Sequence, residues 1–174
     1  MSVLDMRRIL FAVAALAAVG IYLIWWVTYA GLHYIPRFSM RPPGASGESH
    51  GASIRLLSLT QADQLGDAEG GQPALPDPGA VWIVAELEVV RHDPAEEFFC
   101  EAQLLGPERR LWSTASVRVN RSTPDCSRDL GVGQPARVES IFMVPARYAD
   151  QLSGLALTDS SSAARTPVIT PPQR

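Results

Sequence analysis

Val81-Trp82-Ile83-Val84-Ala85-Glu86-Leu87-Glu88-Val89-Val90 decides the fold class. Val81, Ile83, Ala85, Leu87 and Val89 alternate with Trp82, Val84, Glu86, Glu88 and Val90, a period of two that sends alternate side chains to opposite faces of a strand. The glutamates mark a solvated face, and a strand with one wet face belongs to an antiparallel sheet.

The alternation recurs on both sides of this stretch. Cys100, Ala102 and Leu104 alternate with Glu101 and Gln103, predicting a strand over Phe98 to Leu104. Gly106-Pro107-Glu108-Arg109 reads as a turn, Arg110 to Ser113 as a short strand, and Val117 with Val119 as another. Val138, Ser140, Phe142 and Val144 line one side of Ala136–Val144, which Pro145 ends because proline cannot donate to a ladder. Ile54 and Leu56, then Leu57 and Leu59, supply a first strand; Leu155 to Leu157 supply a last one. Tyr148 to Leu152 reads as one helical turn. About seven short strands separated by Gly, Pro and Asp turns are the pattern of an all-β, antiparallel β-sandwich, with a small barrel as the alternative. Gln61–Ala80, rich in Gly, Pro and acids, is expected to be a disordered loop.

At the amino end, Ile9 to Leu32 is apolar and uncharged. A helix of that length spans about 36 Å, enough to cross a hydrocarbon core of about 30 Å with some tilt. Trp25, Trp26 and Tyr29 lie near one end, where an interfacial aromatic belt would hold them. A cleavable signal peptide is the competing reading, with Arg7 and Arg8 as its basic region and Thr28-Tyr29-Ala30 as its cleavage site. The apolar run is longer than a signal core, and bulky tryptophans crowd that site, which favours a retained anchor. Ala14 and Ala18 form a small-xxx-small pattern of the sort that lets two helices approach.

The domain organisation expected is therefore a cytoplasmic tail (1–8), a transmembrane helix (9–32), a Pro/Gly/Ser linker (33–53), an extracytoplasmic β-sandwich (54–159) and a disordered tail (160–174). Arg7 and Arg8 before the helix are matched by Arg37 and Arg41 after it, so the positive-inside count is a tie. Only a short tail precedes the helix, and both cysteines follow it. Those two facts place the folded part in an oxidising, extracytoplasmic compartment.

Composition separates the same parts. The chain of 174 residues is 47% hydrophobic, 19% charged and carries a net −3. All fifteen cations are arginine, which together with the Ala, Gly and Pro content suggests a GC-rich bacterial coding bias. From His33 onward thirteen arginines face seventeen acids, net −4, which argues against nucleic acid and against simple electrostatic docking on anionic lipid.

Candidate chemistry is sparse. Cys100 and Cys126 are the only thiols. A disulfide between them would close a loop stabilising the fold by about 3–4 kcal/mol in the chain-entropy picture. A redox pair is usually spaced C-x-x-C, and a metal site needs more ligands than His92 alone supplies. The acidic stretch holding His92, Asp93, Glu96 and Glu97 is a weak candidate for a hard cation, outweighed by an ordinary solvated hairpin end. His33 and His50 fall at the membrane edge and in the linker; no G-x-S-x-G elbow supplies a nucleophile. Gly131-Val132-Gly133 lacks the third glycine and the following helix of a phosphate loop. Asn120-Arg121-Ser122 is a formal glycosylation sequon. The expectation is no enzyme, no cofactor and no metal.

Val81–Val90, a polar turn, Phe98–Leu104 and then Leu130–Leu157, with Gly133 before a strand ending Phe142-Met143-Val144-Pro145, together carry a family resemblance. The order resembles the immunoglobulin-like extracellular domains of bacterial surface proteins of unknown function, of which a secreted actinobacterial immunogenic antigen is one. The resemblance implies a two-sheet, non-catalytic sandwich and no functional residues. Two departures stand out: Arg91-His92-Asp93-Pro94 replaces a turn that tends to hold Asn and Gly, and the cysteine pair is not typical. The expected function is a single-pass, membrane-anchored interaction module whose partners are the bilayer, through residues 9–32, and another envelope protein. The alternative is an accessory subunit of a transporter or cell-wall assembly complex that acts through its helix.

Overall fold

The computed structural model describes residues 3–33, 37–67, 72–93, 102–116, 130–158 and 165–173. The chain divides into two units, Met1–Arg37 and Phe38–Arg174. The first holds one helix, α1 (Val3–His33). Its apolar stretch Ile9–Gly31 has a mean hydropathy of 2.3 with none of it buried, making it a helix long and apolar enough to cross a membrane.

The second unit is built of strands: β1 (Phe38–Met40), β2 (Gly47–Ser49), β3 (Ala52–Ala62), β4 (Leu65–Asp67), β5 (Pro73–Ala74) and β6 (Ala80–Arg91). There follow β7 (Ala102–Leu105), β8 (Leu111–Trp112), β9 (Pro135–Pro145), β10 (Gly154–Leu157) and β11 (Thr166–Ile169). A four-stranded sheet runs β2-β3-β6-β9 and a five-stranded sheet runs β1-β11-β10-β7-β8, while β4 and β5 form a separate hairpin. All neighbours are antiparallel except β1 and β11, which run parallel.

The decisive stretch forms the centre of the four-stranded sheet. Val81, Ile83, Ala85, Leu87 and Val89 enter one buried cluster with Ile54, Leu56, Val138, Phe142 and Val144 of the same sheet. Ala102, Leu104, Leu155, Leu157 and Ile169 of the five-stranded sheet belong to that cluster too. The switch of phase in Ile54-x-Leu56-Leu57-x-Leu59 has a physical cause: the β3–β6 register shifts between Leu56 and Ser58, inserting Leu57 as a bulge. Beyond the bulge Leu59 packs on the core again, opposite Ala85.

The other face of β6 is not uniformly wet. Trp82 and Val84 are buried with Leu65 in a second cluster, and the indole Nε1 donates to the Ala74 carbonyl at 3.0 Å. Part of the stretch expected as a disordered loop, 61–80, is thus the β4–β5 hairpin. It closes over the outer face because two large apolar side chains there need cover.

The linker and tail boundaries also change. Residues 38–40 and 47–49, inside the expected 33–53 spacer, are strands, and 166–169, inside the expected 160–174 disordered tail, lies between β1 and β10. Backbone pairing makes this possible whatever the side chains. Val168 and Ile169 are fully buried, and Pro167, which cannot donate, is registered only with Ser39. Pro145 closes β9 as expected, and a 3₁₀ turn, Ala146–Gln151, follows it. The strand expected at Val117 and Val119 lies outside the described residues. So does the Phe98–Glu101 part of the strand expected before Gln103.

Candidate functional site

Along α1 every side chain named for the membrane interface is exposed: Trp25 59%, Trp26 53% and Tyr29 41%. Trp25 and Tyr29, one turn apart, stack with ring centroids 5.5 Å apart. Thr28 Oγ1 donates to the Ile24 carbonyl at 2.5 Å, so this hydroxyl spends its hydrogen bond on the helix itself. An apolar helix with a girdle of amphipathic rings at one end has the chemistry of a bilayer-crossing segment.

On the outer face of the four-stranded sheet the glutamates that marked the wet side are paired across strands. Arg55 holds Glu88 at 2.7 Å from its registered position, and Arg137 reaches Glu86 at 3.5 Å. These exposed pairs contribute at most about 1 kcal/mol each. They line a charged surface on that face.

The acidic stretch at the end of β6 does not assemble a cation site among the described residues. His92 and Asp93 are exposed, their backbone N–H groups donate to the Gly51 carbonyl at 2.8 and 3.3 Å, and Arg91 Nε donates to the Asp93 carbonyl. Among the described residues no group of His, Cys, Asp and Glu is disposed to hold a metal. Glu96, Glu97, Cys100, Cys126 and the Asn120 sequon lie outside the described residues. Gly133 donates to the Arg91 carbonyl and Val132 bridges to Arg91, so Gly131–Gly133 is a turn feeding β9.

A cluster that the sequence did not single out forms where β7 turns into β8. In the Pro107–Arg110 turn both central residues, Glu108 (φ 56, ψ 26) and Arg109 (φ 62), are left-handed, and Arg110 N–H donates to Pro107 O at 3.1 Å. This is the arrangement that hairpins normally give to Asn-Gly. Gly106 is needed just before it: a Cβ there would lie 2.3 Å from the Trp112 ring. Trp112 in turn packs on Tyr148, centroids 5.9 Å apart, and both rings rest against the main core.

The Arg110 and Arg147 guanidinium carbons each sit 4.8 Å from the Tyr148 centroid, within cation–π range. Glu108 bonds Arg110 at 2.9 Å, and chiefly this hydrogen bond, aided by Tyr148, raises the Arg110 pKa above its ordinary value. The turn was legible as Gly-Pro-Glu-Arg. The meeting of Arg110 and Trp112 with Arg147 and Tyr148 depends on the fold bringing two separate segments together.

No family model and no curated protein sequence matches the chain. A crystal structure of a conserved hypothetical protein from Bacillus anthracis is similar over 63% of this chain and 82% of that one, with 16% identity and a TM-score of 0.48.

Proposed function

We propose that the chain is a single-pass, membrane-anchored protein whose β unit is an extracytoplasmic, immunoglobulin-like sandwich that binds another protein of the cell envelope. The observation that carries this reading is the pairing, in one chain, of an exposed apolar helix with a strand-rich unit possessing its own core. Two sheets contributing inward side chains to one cluster support the sandwich. A cytoplasmic amino terminus and a Cys100–Cys126 disulfide belong to the same proposal and rest on the sequence, in which both cysteines follow the apolar helix. No catalytic or cofactor role is assigned.

A carboxyl-terminal topology reporter on the full chain should be active only outside the cytoplasm. Under the same conditions Cys100 and Cys126 should resist thiol labelling until reductant is added. Crosslinking in native membranes through the β unit should capture a defined protein partner; capture through α1 alone would favour an accessory subunit acting by its helix. Replacing Ile9–Leu32 by an unrelated spanning helix separates the two, because the interaction module keeps its partner and the helix-acting subunit loses it.

A further inference from the structure

Tyr148 carries a guanidinium carbon on each of two arginines at 4.8 Å and leans on Trp112, which is seated on Gly106. Trp, Tyr and Arg are the residues that dominate protein interfaces, because they combine large contact area with directional charge. Here the rings pack against the core behind them, which favours a surface organised before any partner arrives. Arg147 differs from the arginines of the neighbouring sheet. Arg55 and Arg137 meet carboxylates held on paired strands, whereas Arg147 has its guanidinium over a ring and no ion-paired acid among the described residues.

The second observation is the turn. Glu108 and Arg109 occupy left-handed backbone that Gly or Asn would adopt with less strain, and such outliers concentrate where recognition needs particular side chains. Glu108, 77% exposed, lays its carboxylate on Arg110 at 2.9 Å and shows what group this fork accepts.

We propose that Arg110 and Arg147, on the Trp112–Tyr148 platform, form the docking surface for an acidic segment of a partner protein, with the partner's carboxylates taken up by the two guanidiniums. This rests on the reading of the chain as an interaction module and names the chemistry of its partner. The partner is a peptide segment rather than an anionic bilayer because the part from His33 onward carries net −4, which repels an extended surface of like charge while leaving a local basic patch usable.

The test uses the full chain in neutral phosphatidylcholine nanodiscs, titrated with a fluorescein-labelled oligoglutamate of about ten residues and followed by anisotropy, a probe of electrostatic complementarity. Binding should weaken with salt, and Arg110→Gln with Arg147→Gln should lower affinity at least about tenfold. Glu108→Gln, which frees Arg110, should raise it about threefold. Thermal melts check the variants; should the double variant misfold, Arg147→Gln alone decides, since that side chain is exposed. Unchanged binding by the arginine variants overturns the proposal, as does no binding by the wild type. Arginine-dependent binding to phosphatidylglycerol vesicles without peptide binding overturns it too, in favour of lipid.

A photocrosslinker at Asp150, beside the cluster in sequence, and another at exposed Arg137 separate this failure from that of the parent reading. A protein adduct at Arg137 alone overturns the docking site and keeps the module. No adduct at either position counts against the module, while the peptide titration still decides the site.

Discussion

The two sheets are built in opposite ways. In the four-stranded sheet β3, β6 and β9 run 11, 12 and 11 residues, each with apolar side chains at alternate positions. Among the described residues no strand of the five-stranded sheet exceeds four residues, and the pieces come from residues 38 to 169. Both present fully buried side chains to one core. The long sheet is specified by pattern, since a slip of one residue would turn a whole apolar row to water. The short sheet is specified by packing and by backbone groups that need partners, and it keeps its shape only while its distant segments remain together.

That contrast predicts unequal responses to damage. Ending the chain after Thr158 removes Val168 and Ile169 from the core and takes away the strand that β1 pairs with. Burial of two such side chains is worth about 1.5–3 kcal/mol each before the lost ladder is counted. The expected outcome is loss of a cooperative thermal transition, followed by near-ultraviolet circular dichroism. A truncated chain melting like the full one would show that the short sheet does not need its last strand.

Phe142→Ala, in the long sheet, should cost about 3–5 kcal/mol in denaturant unfolding because the ring is fully buried, yet leave a single transition. Leu65→Ala removes the plug of the β4–β5 hairpin. It should cost about 2–5 kcal/mol, the range for a fully buried leucine, and hydrogen exchange should quicken at Leu65 and Ala74 before the long strands are affected. Glu108→Asn with Arg109→Gly should raise stability by about 1 kcal/mol by relieving left-handed backbone, read as a higher denaturant midpoint. Arg55→Ala should change stability by less than about 1 kcal/mol, the smallest effect of the set, because its ion pair is exposed.

Legibility in the sequence followed the same division. The strands around Val81–Val90 and Val138–Val144 were readable because each is long enough to show its period. Even the bulge left its trace in the doubled Leu56-Leu57. Phe38–Met40 and Thr166–Ile169 are too short for any period, and their Pro, Gly and Ser neighbours spell linker. The burial of Trp82 and Val84 depended on a hairpin supplied by a Gly-rich stretch whose one informative residue is Leu65.

The stacking of Trp25 on Tyr29 follows from their spacing alone, because a helix is a local structure. The Tyr148 cluster does not, since Arg110 and Trp112 meet Arg147 and Tyr148 only through the tertiary fold. Gly154 shows how little a single letter reveals. It holds φ 143, and a Cβ there would lie 2.4 Å from the Ile169 carbonyl oxygen, yet in the sequence it is one glycine among thirteen.

The parallel pairing of β1 with β11 also sets an order in time. Met40 is registered with Val168, so among the described residues β1 has no strand neighbour until the chain has been synthesised as far as β11. At about 5–20 residues per second, that wait is on the order of 10 s. The four-stranded sheet, complete once Pro145 has emerged, can pair its strands during the interval, with its inner apolar face still open along one side. Docking of β11 therefore follows synthesis of the strands it joins, and a chain halted before it would offer bare core residues to any holdase or protease within reach.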